Sequence, residues 1–166
     1  MALSGGHRFG VKHDDVFPGG AYAVSEVEQA KDWNQSTDAN FVQAKDEKGT
    51  GLPTWTVTVL DNDPKVKGKN KSTVVKIDAE RQPVLPPIPD GMPEGLPMVP
   101  VAFEGLTVTV YKDRDSGRIT HSLRASGVAK PSTAADDMAT AAANGNGGKA
   151  ASSSSSASAR TSDSEG

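Results

Sequence analysis

An all-β fold, a small five-stranded Greek-key barrel of the OB type, is the architecture to which this chain of 166 residues points. Three features carry that reading. From Gly20 onward, short segments of alternating polar and apolar residues recur with turn chemistry between them, which is the period of strands and not of helices. Seven prolines between Gln82 and Pro100 remove amide donors and exclude a regular helix there. Glycines such as Gly105 stand where a barrel strand has to bulge or bend. A sandwich of the same strands is the competing arrangement, and the proline strap leaves no room for the helix that an OB barrel commonly carries between its third and fourth strands.

The first strand is expected over Gly20–Glu28, where Tyr22, Val24 and Val27 alternate with small and acidic residues after the turn Pro18-Gly19-Gly20. Asn40–Lys45 extends a ladder, and Glu47–Pro53 is a glycine-rich turn. Thr54–Leu60 is the clearest strand: Trp55, Val57 and Val59 face one way, and Thr54, Thr56 and Thr58 the other. Asp61-Asn62-Asp63-Pro64 ends it, Lys65–Lys71 forms a loop, and Ser72–Ala79 returns with Thr73, Val75 and Ile77 on one face. After the strap, Val101–Tyr111 alternates Leu106, Val108 and Val110 against Thr107, Thr109 and Tyr111. The turn Asp115-Ser116-Gly117 leads into Arg118–Ala125, with Ile119, His121 and Leu123 opposite Arg118, Thr120, Ser122 and Arg124.

Only 35% of the residues are hydrophobic, too few for the whole chain to pack. The deficit lies at the C-terminus, where residues 131–166 are dominated by Ala, Ser and Gly and bury too little apolar surface to offset their ordering entropy. Three parts are therefore expected: a flexible leader over 1–15, a β-barrel domain over 16–130, and a disordered tail over 131–166. The absence of cysteine leaves no disulfide or thiolate chemistry and suits a reducing cytoplasm. No secretory signal opens the sequence, and no run of about 18 apolar residues occurs, so a cytoplasmic location is expected. Net charge is −3, yet residues 1–131 hold 16 basic and 17 acidic groups, a neutral body in which only local clusters could attract a polyanion.

Those clusters define the candidate site. Lys65, Lys67, Lys69 and Lys71, followed by Lys76, stand with no acid among them on a loop between two strands, an arrangement able to neutralise phosphates. The alternative is a solvated hairpin whose lysines resist edge aggregation. Lys112, Arg114, Arg118 and Arg124 form a second basic group, diluted by Asp113 and Asp115. Tyr111, on the threonine face of its strand, is the candidate base-stacking platform, whereas Trp55 belongs to the core. Trp33 and Phe41 either flank a groove or close over the barrel mouth. Metal chemistry at His7, His13, Asp14 and Asp15 is weaker than a mobile terminus. His121 reads as an interior or edge residue, and Asp61 and Asp63 as turn formers. No phosphate loop, nucleophile elbow or paired-histidine motif is present, so no enzyme, metal or cofactor is expected.

Residues 16–33, 43–64, 101–113 and 121–128, with their "TGLP-W" turn into a strand, proline strap and "FEGLTVT" segment, resemble a family from actinomycete integrative plasmids and related mobile elements. Its members are described as plasmid replication, integration and excision activators. The resemblance covers about residues 16–130, departs at Gly49, at the length of the lysine loop and in the tail, and supplies no catalytic residues. It implies a regulator of a mobile element's life cycle. Two mechanisms fit: binding of single-stranded DNA through the barrel, or recruitment of a replication initiator, integrase or excisionase through a sheet edge without DNA contact.

Overall fold

The computed structural model describes residues 6–92 and 98–132, and these are almost entirely strand and loop. At its centre β4 (Thr54–Asp61) and β5 (Ser72–Asp78) pair antiparallel from Thr54↔Asp78 to Leu60↔Ser72. Their β-branched alternation buries Trp55, Val57, Val59, Val75 and Ile77 on one face. The Trp55 indole N–H donates to the Ala79 carbonyl at 2.9 Å, so its polar atom is satisfied inside the core.

The second major unit is a long hairpin. Its outgoing arm is β6 (Val99–Glu104) and β7 (Thr107–Lys112), and its returning arm is β8 (Ile119–Ala125) and β9 (Gly127–Ala129). One register runs from Lys112↔Ile119 through Thr107↔Arg124 to Ala102↔Ala129, so the four strands are one ladder bent in the middle. The bend lies at Gly105, whose φ of 56° is open to glycine, and at Ser126, whose N–H and hydroxyl both donate to the Glu104 carbonyl, at 2.9 and 3.1 Å. Bending sends the two halves to different neighbours. β8 runs parallel to β5, whereas β6 pairs with the short β2 (Ala21–Ala23), which pairs in turn with β4. Phe17, Val99, Val101, Phe103, Leu106, Leu123 and Ala125 complete the core enclosed between them.

With β1 (Arg8–Gly10) at one edge, the nine-stranded sheet runs β1-β7-β8-β5-β4-β2-β6-β9, and β3 (Glu28–Gln29) is laid on β4. The chain is predominantly β, as its periodicity indicates, and the sheet is not closed: it ends at β1 and β9. Several expected boundaries change. The strand over Gly20–Glu28 is split into β2 and β3, because the Ser25 hydroxyl accepts the Thr58 N–H at 2.9 Å in place of a ladder carbonyl. Asn40–Lys45 contributes only the isolated bridges Lys31↔Gln43 and Lys45↔Pro53. Of the strap expected over 82–100, residues 82–89 have no regular structure, with Gln82 donating from its side chain to the Val27 carbonyl at 2.7 Å and Leu85 packed on the core; residues 93–97 lie outside the described residues, and Val99 and Pro100 already belong to β6. Among the described residues no helix is long and apolar enough to cross a membrane.

The leader expected to be flexible over 1–15 is built into the fold from Arg8 onward, which corrects that expectation for the described part of it. Arg8–Gly10 forms β1 on the edge of β7, and His13–Val16 forms the single turn α1. Burial of Phe17 and an ion pair made by Arg8 anchor the segment. Residues 1–5 and all but the first two residues of the expected tail over 131–166 lie outside the described residues.

His13 has a definite structural role. Its Nδ1 accepts the Phe103 N–H at 3.2 Å, and its ring lies 5.3 and 5.9 Å from those of Phe17 and Phe103. Burial lowers its pKa, against the opposing charge of Asp14. Below the unfolded value of about 6.5 the unfolded chain takes up this proton first, so stability falls with acidification. Urea midpoints should drop between about pH 7 and about pH 5, and a His13→Gln variant should show a shallower dependence on pH.

Candidate nucleic-acid interface

The surface opposite the core follows from alternation and register. Thr56 and Thr58 on β4, Val74 and Lys76 on β5, Ser122 and Arg124 on β8, and Thr107, Thr109 and Tyr111 on β7 share this outer face. Thr56↔Lys76, Lys76↔Arg124 and Arg124↔Thr107 pair in sequence, so these four residues form one row across four strands.

Above one end of that row the β2–β4 connection folds back and makes a concavity of about 230 Å³, lined by Lys31, Lys45, Lys76, Arg124, Trp33 and Thr56 among others. The connection is held by its own backbone. Ala30 N–H donates to the Thr54 carbonyl at 3.0 Å, and Ala44 N–H to the Ala30 carbonyl at 2.8 Å. A carboxylate oxygen of Asp32 accepts the amides of Asn34 and Gln35 at 2.8 and 3.2 Å, and the Ser36 hydroxyl bonds both backbone groups of Val42. This holds Trp33 out in solvent, 81% exposed, with the Lys31 ammonium 4.6 Å from its ring centroid. Exposure on the rim of a groove, not closure over a mouth, is the observed placement of Trp33; Phe41 is exposed as well.

Among the described residues no carboxylate stands within ion-pair distance of Lys31, Lys45 or Lys76. Lys76 is half-buried, and its pKa is lowered, first by burial and then by the neighbouring Arg124 guanidinium, while Asp78 pulls the other way. A phosphate oxygen placed there would offset the charge repulsion from Arg124.

The residues named from sequence divide among three places. Arg124 lies in the row, but its guanidinium is engaged: it pairs with Asp78, donates to the Thr54 hydroxyl at 3.3 Å and sits 3.8 Å from Asp46. Tyr111, 46% exposed, pairs with Thr120 on the same outer face, four residues from Arg124 and hence about 13 Å along the strand. Lys112 pairs with Ile119 on the opposite face from Tyr111. Arg114 and Arg118 are exposed in the β7–β8 turn. There Asp113 accepts the Ser116 and Asp115 amides at 3.1 and 2.8 Å, which holds its carboxyl below the usual range and keeps a negative charge among the cations.

The lysine loop is elsewhere. Asp61 and Asp63 form its first turn by accepting the amides of Asp63 and Lys65, at 2.8 and 2.9 Å, and Lys71 returns its carbonyl to the Asp61 N–H at 2.8 Å. Lys65 and Lys67 line a second cavity, of about 810 Å³, at the end of the sheet beside Ile119 and His121. Of Lys69 only the backbone is described, in a short 3-10 turn over Gly68–Asn70. Sequence reading missed the convergence of Lys31, Lys45 and Lys76 around Trp33. Only the outward position of Lys76 on its strand and the polar surroundings of Trp33 hinted at it. Among the described residues no three His, Asp or Glu side chains are arranged to hold a metal ion.

No protein-family model matches the chain, and neither a curated protein nor a solved structure matches it.

Proposed function

We propose that this protein is a non-enzymatic accessory factor that binds single-stranded DNA across the outer face of β4, β5, β8 and β7. The observation that carries the reading is a circuit of neighbours. β2 lies beside β4, β4 beside β5, β5 parallel to β8, β8 beside β7, and β6, the continuation of β7, returns beside β2. Counted as five segments, that order supports reading the domain as a partly open Greek-key barrel of the OB type, a fold whose second and third strands and adjoining loops contact oligonucleotides. Here the corresponding surface is the β4–β5 face, flanked by the connection that carries Lys31 and Trp33 and by the turn that carries Arg114 and Arg118.

On this reading Lys31, Lys45 and Lys76 neutralise phosphates, and Trp33 and Tyr111 stack bases without selecting among them. The role fits a cytoplasmic regulator of a mobile element's replication, integration and excision, acting where a strand is exposed. A regulator that binds only an initiator or recombinase is the second reading, favoured by the near-neutral body and by exposed apolar residues at the β7–β8 tip.

The two tryptophans make a direct test. Trp55 is 8% exposed and Trp33 is 81% exposed, so quenching by oligothymidylate reports on Trp33. Titrations should quench fluorescence at low salt and weaken with added salt by a log–log slope of about −2 for three lysines, reduced by about 0.7 in Lys76→Ala. Trp33→Phe should remove the signal and weaken binding measured by gel migration. Unaltered fluorescence together with unaltered migration at low salt would eliminate the DNA reading.

A further inference from the structure

The cavity of about 810 Å³ beside the lysine loop lies on the other side of the hairpin from the outer face just described, and it has a different character. Leu123 is the last buried residue at this end of β8. Ile119 and His121 share its face by alternation but are exposed, Ile119 at 81%. Val110, opposite His121 on β7, is also exposed, and Phe9 lies opposite Val108 on the neighbouring β1. The tip of the hairpin thus carries the apolar pattern of a core strand beyond the end of the core. Val16, Val66 and Ile119 line the cavity among polar neighbours such as Asn70 and Thr120, and Lys65 and Lys67 line it as well. Asp61, the one carboxylate among its described lining residues, already accepts the Asp63 amide.

We propose that this mouth is a docking site for an acidic segment of a partner protein that carries an aliphatic or aromatic anchor side chain. Val16, Val66 and Ile119 offer contacts to such an anchor, and the lining lysines favour carboxylates beside it. Nucleic acid suits the mouth less well: among the described residues no exposed Trp, Tyr or Phe lines it to stack a base, and Asp61 would face the phosphates. A second copy of the chain suits it less as well, because a two-fold contact would bring the same lysines together. The inference goes beyond the DNA reading, uses different residues, and stands or falls separately from it.

The probe is a fluorescein-labelled peptide with a leucine and a phenylalanine set among aspartates, read by anisotropy with the full chain at low salt. A matched peptide carries serine at both anchor positions. The anchored peptide should bind saturably, and both Ile119→Glu and the pair Lys65→Glu, Lys67→Glu should weaken it by about tenfold or more. Ile119 is exposed, so its variant should unfold at the wild-type temperature and retain oligothymidylate quenching of Trp33. Trp33→Phe should leave peptide binding unchanged. The proposal is overturned by absence of saturable binding, by equal binding of the serine peptide, by indifference to Ile119→Glu, by displacement of the peptide by oligothymidylate with the same dependence on Ile119, or by a self-association that Ile119→Glu dissolves.

Discussion

Replacing Asp46 with alanine is expected to lower the folding free energy by about 3 kcal/mol, the lower end of the range for removing one partner of a buried ion pair. Asp46 is 2% exposed and is the centre of a network joining four separate parts of the chain. Arg8 of β1 grips it with both terminal guanidinium nitrogens, the Nη1 contact at 2.8 Å. The Thr50 amide and hydroxyl donate to the same carboxylate at 2.9 and 3.3 Å, and Arg124 of β8 approaches to 3.8 Å while pairing with Asp78 of β5. Without Asp46, the Arg8 and Arg124 guanidinium groups lose the carboxylate they share, Arg124 keeps Asp78, and β1 loses its anchor. Arg8 remains partly in solvent, which places the cost at the lower end.

The same network predicts a response to acid. The Arg8 hydrogen bonds hold the Asp46 carboxyl far below the usual range, with the Thr50 amide and the Arg124 charge adding to them and burial opposing. In the unfolded chain this group takes up a proton near pH ~4, well before the folded state does. Its contribution is therefore complete above that value and is lost as pH falls toward the depressed folded value. Wild-type denaturation midpoints should fall through this range, and those of Asp46→Asn, lower throughout, should fall less steeply. A loss smaller than about 1 kcal/mol in Asp46→Ala would mean that the network is dispensable. Gly49 belongs to this arrangement: a Cβ there would lie 2.6 Å from the Arg8 Nη1.

The second large effect is expected at Gly105. Valine there should cost about 2–3 kcal/mol, since a β-branched residue is strained at a φ of 56°. A Cβ at this position would also run into the Ser126 hydroxyl across the bend. Asparagine tolerates this backbone region better, so Gly105→Asn, particularly with Ser126→Gly to make room, should recover much of the loss. The consequence extends beyond stability. The bend directs β6 to β2 and β8 to β5, so a variant that stays folded but straightens here should separate Tyr111 from the Lys76 row and weaken oligothymidylate binding. Wild-type unfolding in Gly105→Val would show that the hairpin bends without need of glycine.

How much of this was legible can be judged from particular residues. Trp55, Val57 and Val59 alternate with threonines, and that pattern alone placed them inward and located β4 within one residue of its observed end. The irregular course over 82–89 and the bend at Gly105 were legible for the same reason, since a fixed φ or a missing Cβ acts on its own neighbourhood. β1 was not legible. Three residues carry no period, and Arg8 is placed by a carboxylate 38 positions away. Arg124 stood on the polar face of its strand as expected, but nothing near it in the chain showed that Asp78 and Asp46 would engage it.

The candidate site divides in the same way. Exposed positions on each strand follow from a two-residue repeat, so Tyr111 could be assigned to the outer face from its neighbours Thr107 and Thr109. Lys31, Lys45 and Lys76 come together only because the β2–β4 connection folds back over the start of β4 and the β5 strand lies beside it. Side-chain alternation is a local property that a few consecutive residues specify. The meeting of charges, and whether a cation is left open or consumed in an ion pair, depends on strand neighbours and loop closures summed over the whole chain, and these exist only once the sheet has formed.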